Sequence, residues 1–93
     1  MDREKILADA AALITGDRNS THGDAHENFE RIAVGWAEIL RCEVNAHEVG
    51  LCMAWVKIAR TVSSPTLIDH YKDGVGYMAL AGEIATARGD AEK

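Results

Sequence analysis

The spacing of the apolar residues is the feature that most constrains the fold of this chain. Apolar residues recur every three or four positions through most of its length, which is the period of an amphipathic helix. No alternating apolar and polar run is long enough to predict a strand, and the single proline is Pro65. The pattern predicts one all-α domain, a four-helix antiparallel bundle over residues 1–93. Its helices are expected at about 2–16, 24–42, 45–63 and 66–88.

Three of the predicted helix starts carry a capping box, in which an oxygen- or amide-bearing side chain is followed three positions later by an acid. The first side chain of such a box accepts a hydrogen bond from the first helical turn, where backbone donors lack partners. Gly16 and Gly89 are expected to end the first and last helices. The three boxes are Asp24 with Glu27, Asn45 with Glu48, and Thr66 with Asp69.

The apolar stripes predict which helix lies at the centre. The first two helices each carry one stripe, whereas the third is apolar nearly all round and is therefore expected to be central. On the third helix one side holds Val49, Met53 and Val56, and the other holds Leu51, Trp55, Ile58 and Val62. The stripes of the first two helices are Ile6, Ala10, Leu13 and Ile14, followed by Phe29, Ile32, Ala33, Trp36, Ile39 and Leu40.

Length and charge limit the possible partners. A chain of 93 residues buries only about 60 to 65% of the surface that it exposes when unfolded, so we expect a homodimer or a higher homo-oligomer. The net charge of −5 argues against binding to nucleic acid or to an anionic membrane surface. No apolar run approaches the length of a membrane span, and the start lacks a secretory pattern, so a cytoplasmic protein is expected. Cys42 and Cys52 are interpreted as buried free thiols.

Charged residues occupy positions where the helical pattern expects apolar ones. At about 100° per residue, Asp69, Asp73 and Tyr77 share the inward face of the fourth helix. Lys57 and Arg60 share an inward face of the third helix in the same way. The turn between these helices is short, so the four charges are expected to cluster around it.

Two interpretations of this cluster remain open. In the structural one, Asp69 only caps its helix and Arg60 forms an ion pair with Asp73. In the functional one, Asp69 and Asp73 hold a divalent cation while Lys57 and Arg60 contact phosphate, as a nucleotide carrying magnesium requires. Tyr77 either packs in the core or lines a pocket for a base or ribose. Gly74 and Gly76 are expected to allow close helix packing.

An ordered set of short motifs resembles a known group of proteins. HGD, ENF, KIAR and DHYKDGVGYMAL, between residues 22 and 80, look like the motifs of small phage and prophage proteins of unassigned function. That group resembles, more distantly, the all-α nucleoside triphosphate pyrophosphatases of the MazG-like kind, which hold magnesium with acidic motifs on two neighbouring helices.

The MazG-like resemblance implies roles for particular residues. Asp69 and Asp73 stand where the second acidic motif would lie and would bind Mg²⁺, whereas Lys57 and Arg60 replace the glutamates of the first. Other candidates lie in residues 18–29, a polar stretch that is expected to close over the cleft. Asp24 would supply a further ligand-binding acid, Arg18 and His22 would contact phosphate, and His22 or Glu27 would act as the catalytic base.

The sequence therefore favours a phage-type protein that captures a nucleotide or a nucleotide-derived immune signal of the infected host. Magnesium-dependent pyrophosphohydrolysis is the second hypothesis, ranked lower because the acids are fewer than such an enzyme uses. A helical protein-interaction module, in which the charges only set partner specificity, is the third.

Overall fold

The computed structural model describes residues 1–15 and 24–87. In these ranges the chain is helical, with no residue in a strand, so the predicted all-α class is confirmed. The predicted helices are present, and their observed ends differ from the expected ones by at most two residues. They are α1 (Arg3–Ile14), α2 (Ala25–Leu40), α3 (Ala46–Ser63) and α4 (Ile68–Thr86).

The helix starts follow the capping chemistry in part. The Asp2 carboxylate caps α1 by accepting a hydrogen bond from the Lys5 amide at 2.8 Å. Asp24 caps α2 through the Glu27 amide, at 3.4 Å. At the start of α3, the Asn45 amide donates to Glu48 Oε1 at 2.8 Å, as the capping box predicts.

The capping box predicted at Thr66 and Asp69 is wrong. The chain makes one more turn over residues 64–67, in which the Leu67 amide donates to the Ser64 carbonyl at 3.2 Å. Leu67 is consequently the N-cap of α4, and Thr66 lies in the turn before the helix. Asp69 is exposed in the first turn of α4, where its charge still faces the positive end of the helix dipole.

The core lies where α2, α3 and α4 meet. It is small, because four of its eight buried apolar residues are alanines. The short connection between α3 and α4 makes them antiparallel neighbours, and they form the most extensive helix pair of the fold. A side chain at Gly50 would collide there, since its Cβ would lie 2.9 Å from that of Ala81. The larger buried residues are Phe29, Val49, Leu80 and Ile84.

The prediction that α3 is buried on both sides is wrong. Val49 is fully buried and Met53 partly so, but Val56 is exposed. The whole opposite side, at Leu51, Trp55, Ile58 and Val62, is also exposed. The stripes of α1 and α2 are likewise covered only in part, because Leu13, Ile39 and Leu40 are exposed.

The two cysteines were expected to be buried, and this is also wrong. Cys42 and Cys52 are free thiols, and both are exposed. Cys42 follows Arg41, which ends α2 in the left-handed conformation with φ 58°. Cys52 lies on the side of α3 that no helix of the described ranges covers.

None of the helices in the described ranges has an apolar window long enough to cross a bilayer.

Candidate functional site

A cleft runs along the line where α1 packs against α4. Its deeper end is a cavity of about 100 Å³, and Ile14, Tyr77 and Leu80 are among the residues that line it. Its outer end is a larger cavity of about 430 Å³. Leu13 and Asp73 line both cavities, so the two are parts of one space, which we call the α1–α4 cleft.

Glycine and tyrosine set the shape of the deep end. A side chain at Gly76 would place its Cβ 3.0 Å from Ile14 Cγ2, so this glycine lets α1 approach α4 closely. Gly74 faces α3 instead, where its Cβ would lie 3.7 Å from that of Lys57. These contacts agree with the packing role expected for both glycines. The Tyr77 ring stacks on Phe29, with centroids 6.4 Å apart, and still borders the cleft.

The outer end of the cleft is charged. Asp9, Asp69, Lys72 and Asp73 line it together with Leu13 and Ala12. The Lys72 ammonium lies 3.0 Å from Asp9 Oδ2 and joins α4 to α1. On the other side of α4, Lys57 of α3 lies 3.2 Å from Asp73 Oδ2. Ion pairs therefore connect three helices through the two acids that flank the cleft.

Lys72, which lines the cleft, and Lys57, which pairs with one of its acids, are both largely shielded from water. The side chains of Lys57 and Lys72 are only 14% and 18% exposed. A shielded cation needs a partner, because removing an ammonium group from water is costly. Asp73 and Asp9 are these partners, and they fix the positions of the two ammonium groups beside the cleft.

Asp9 also binds a second lysine. Lys5, one turn earlier on α1, places its ammonium 2.9 Å from Asp9 Oδ1. Hydrogen bonds from Lys5, and then from Lys72, hold the pKa of Asp9 below its usual value of 3.8. The carboxylate therefore remains charged at neutral pH.

The structure brings four of the residues singled out from the sequence to this region. Asp69, Asp73 and Tyr77 line the cleft, and Lys57 pairs with one of its acids. Arg60 does not pair with Asp73 as the structural interpretation expected. It is exposed rather than inward-facing, and no acid of the described ranges lies within ion-pair distance of it.

The residues expected from the polar stretch are placed differently. Asp24 and Glu27 are exposed at the start of α2 and line neither cavity of the cleft. Asp24 is engaged as a helix cap. Arg18 and His22 lie outside the described residues, and their predicted contacts with phosphate remain predictions.

Two residues of the cleft, Asp9 and Lys72, were missed by the reading of the sequence. Asp9 follows Lys5 by four positions, and this spacing of opposite charges on a helix is a recognisable signal. Lys72 lies inside the DHYKD motif, next to the acid that drew attention. Their pairing with each other depends on how α1 packs against α4, which the sequence pattern does not specify.

The acids of the cleft do not form a preformed metal cluster. Within residues 1–15 and 24–87, no three histidine, cysteine, aspartate or glutamate side chains are grouped so that they could hold a metal ion. Asp69 and Asp73 do line the same cavity, so a cation would need further oxygen ligands from a bound molecule or from water.

A second, shallower groove lies where α2, the start of α3 and the end of α4 meet. It measures about 820 Å³, and four of its lining residues are Glu30, Glu38, Glu43 and His47. His47 Nδ1 is buried without a hydrogen-bond partner in the described part of the chain. The excess of acids makes this groove a poor site for phosphate.

Comparison with known proteins places the chain in a family. The model of a domain of unknown function, DUF6378, matches residues 5–85, which include all four helices almost completely. The chain belongs to this family. The matched range contains every residue of the α1–α4 cleft, so the cleft lies within the family domain.

Relatives of the chain occur in mycobacteriophages. The Gene 55 protein of Mycobacterium phage D29 is 36% identical over 81 residues, which cover 87% of this chain and 54% of that protein. The Gene 55 protein of Mycobacterium phage L5 is 38% identical over 76 residues, covering 81% of this chain and 49% of that protein. The chain thus spans about half the length of these relatives. The expected resemblance to small phage proteins is confirmed.

No solved structure matches the chain. The likeness to MazG-like pyrophosphatases stays a prediction, because neither the family description nor the names of these relatives state an activity.

Proposed function

We propose that this phage-type protein binds a nucleotide or a nucleotide-derived signal in the α1–α4 cleft. The observation that carries the proposal is the pair of shielded lysines, Lys57 and Lys72, held by acids beside a cavity of about 430 Å³. A cavity of this size falls in the range of about 300 to 1,000 Å³ that is typical of small-molecule sites.

The chemistry of the cleft suits a molecule with one apolar and one anionic part. Ile14, Tyr77 and Leu80 at the deep end offer an apolar surface and an aromatic edge for a base. Lys72 at the outer end offers an ammonium group for phosphate. Carboxylates are the partners of Lys57 and Lys72 in the structure. A phosphate oxygen would replace the carboxylate as the partner of the ammonium group.

Magnesium fits the same proposal. When phosphate takes over Lys57, Asp73 loses its cation, and the freed carboxylate would repel the ligand, whereas Asp9 keeps Lys5 when phosphate takes over Lys72. A magnesium ion between Asp69, Asp73 and the phosphate oxygens would remove this repulsion, since Mg²⁺ is commonly bound by one or two carboxylates together with phosphate and water. We therefore expect nucleotide affinity to increase when Mg²⁺ is present.

Magnesium-dependent hydrolysis of the nucleotide is the second candidate. It is favoured by one observation, that three acids, Asp9, Asp69 and Asp73, line a single cavity. It ranks below binding because Asp9 is engaged by two lysines. Of the bases proposed for it, Glu27 does not line the cleft, and His22 lies outside the described residues.

Ligand capture and hydrolysis can be separated in one experiment. The protein is incubated with nucleotides and with cyclic and ADP-ribose-type dinucleotides, with and without Mg²⁺, and the mixtures are chromatographed before and after heat denaturation. We expect one ligand class to disappear from the free fraction and to return unchanged after heating. New products would support hydrolysis instead, and a panel that is neither depleted nor converted would contradict both functions.

Lys72→Met and Lys5→Met form a matched pair for this experiment. Both lysines bind Asp9, but Lys72 lines the cleft while the Lys5 side chain is 62% exposed. We expect Lys72→Met to weaken binding at least about tenfold, a difference of about 1.4 kcal/mol, and Lys5→Met to leave it within about twofold. If both variants lose the same affinity while their helical circular dichroism is retained, the ligand does not bind in the cleft.

A further inference from the structure

The outward side of α3 carries an apolar stripe that no part of the described chain covers. The stripe consists of Leu51, Trp55, Ile58 and Val62, all exposed; the Trp55 and Val62 residues are 69% and 84% exposed. Single exposed apolar residues are ordinary, but a contiguous set on one helix face marks an interaction surface. This surface is separate from the α1–α4 cleft, which α3 does not line.

We propose that this stripe is the interface through which two copies of the chain form a dimer, with the α3 helices packed against each other. The stripe residues are spaced by four, three and four positions, which is the spacing of the apolar seam of paired helices. At about 100° per residue they fall within an arc of about 60°. A second α3 presents the same narrow seam, as a twofold interface requires.

The residues beside the stripe permit a close approach. Cys52 and Ala59 flank it on one side, and both are small and exposed. No Lys, Arg, Asp or Glu lies within the stripe itself, so pairing two copies buries no unpaired charge there. The exposed Arg60 points away from it, about 170° from the arc centre by the same arithmetic.

A groove next to the stripe provides a receptor for Trp55. It measures about 280 Å³ and lies between α3 and α4, where Ile58, Tyr71, Gly74 and Val75 form much of its lining. The Tyr71 hydroxyl donates to the Pro65 carbonyl at 2.7 Å, which leaves its ring as a wall of the groove. Each copy thus presents a projecting indole and a groove side by side, and interface anchors are commonly aromatic rings seated in such pockets.

The area agrees with what a stable dimer needs. From their exposed fractions, the four stripe side chains offer about 400 Å² of apolar surface. A standard interface buries about 800 Å² per partner, of which roughly 60% is apolar. The stripe and the lining of the groove together therefore supply most of the apolar centre of such an interface. The core of the single chain is small, since half of the buried apolar residues of the described ranges are alanines. Burial of further apolar surface in a dimer would therefore stabilise the fold.

The experiment measures the mass of the chain by sedimentation equilibrium over a range of micromolar concentrations. We expect the wild type to approach twice the monomer mass of 10.1 kDa. Since each copy carries a net charge of −5, added salt should strengthen the dimer by screening repulsion outside the interface. A wild type that remains a monomer throughout, or that forms only larger assemblies, overturns the proposal.

Val62→Lys and Leu7→Lys are the matched variants. Both replace an exposed apolar residue by the same cation, but Leu7 lies on α1, which packs chiefly against α4. Lysine near the end of α3 also favours the helix dipole, so Val62→Lys should keep its fold, as circular dichroism will check. We expect it to raise the dimer dissociation constant at least about tenfold while Leu7→Lys leaves it unchanged. Equal weakening by the two variants, or none by Val62→Lys, contradicts the assignment.

Trp55→Ala tests the groove separately. It removes the indole without adding charge, and Trp55 has little to lose in the single chain because it is largely exposed. We expect loss of the dimer with an unchanged midpoint of monomer unfolding at low concentration. A dimer that survives this substitution shows that copies associate through another surface.

Discussion

The two sides of α4 hold their neighbouring helices by different means. Toward α3, small residues allow the backbones to come close, as Gly50 does against Ala81. Toward α1, the outer contact is made by long charged side chains, and a cleft remains between the helices. The close contact at Gly50 leaves no space for another molecule there, whereas a contact made by side-chain ends leaves space and supplies exchangeable polar partners. The contact between α3 and α4 is therefore the structural seam of this fold, and the contact between α1 and α4 is the one suited to binding.

The largest expected effect comes from filling the structural seam. Gly50→Ala would place a methyl group 2.9 Å from Ala81 Cβ and 3.2 Å from the Tyr77 carbonyl oxygen. Overpacking of this kind costs about 1 to 3 kcal/mol, of which better helix propensity returns about 1 kcal/mol. We expect a net loss of up to about 2 kcal/mol in the free energy of unfolding, measured with urea.

Gly35→Ala is the control for this substitution. Gly35 is also inside a helix, but its added Cβ would meet nothing within 4 Å. We expect this variant to gain about 1 kcal/mol because only helix propensity changes. If both alanines stabilise the protein, α3 and α4 can separate without cost, and the structural seam is not as tight as described.

A smaller effect is expected from the ion pair between Lys57 and Asp73. The pair is neither fully buried nor fully exposed, so we expect a coupling free energy of about 1 kcal/mol in a double-mutant cycle of Lys57→Met and Asp73→Asn. The same cycle with Arg60→Met in place of Lys57→Met should give no coupling. Coupling of Arg60, and none of Lys57, would restore the ion pair that the sequence suggested.

The smallest effect is the pH dependence of the stability that Asp9 contributes. The pKa of Asp9 is lowered in the folded protein, so its contribution to stability is fully present above the pKa of the unfolded carboxyl group. That contribution is lost as the pH falls through the lower folded value. We expect the wild type to lose more free energy of unfolding than Asp9→Asn does between about pH 7 and about pH 3. Parallel pH profiles would show that the two lysines do not stabilise the charged form.

The fold could be predicted from the sequence because its signals are local. The cap of α2 by Asp24 and the hydrogen bond from the Asn45 amide to Glu48 each join residues three positions apart, and both appear in the structure. Thr66 misled the prediction because Pro65 lies in an extra turn, closed by a backbone hydrogen bond that the side-chain pattern does not reveal. Local chemistry therefore determines where the helices form, with errors at a junction.

The site could be predicted only in part, because its contacts join distant segments. That Asp73 lines the cleft could be expected from its place on an inward face, but its partner could not. Lys57 and Arg60 lie one turn apart on α3. Lys57 is the one that pairs with Asp73, because α3 passes close to α4 at Gly74. Asp9 was missed because its partner Lys72 is far away in sequence. The exposed side of α3 was misassigned to the core because periodicity shows which residues avoid water and not which molecule covers them.

The position of α1 has a consequence for how the protein moves. Because α1 packs chiefly against α4, one helix can detach while the contacts among the other three remain. The free energy of such a local opening is smaller than that of global unfolding, and amide hydrogens of α1 would exchange with solvent accordingly sooner than those of α3 and α4. A molecule bound in the cleft would stabilise the closed arrangement and slow that exchange, so the rate at which α1 takes up deuterium reports occupancy of the cleft even for a ligand that is never chemically changed.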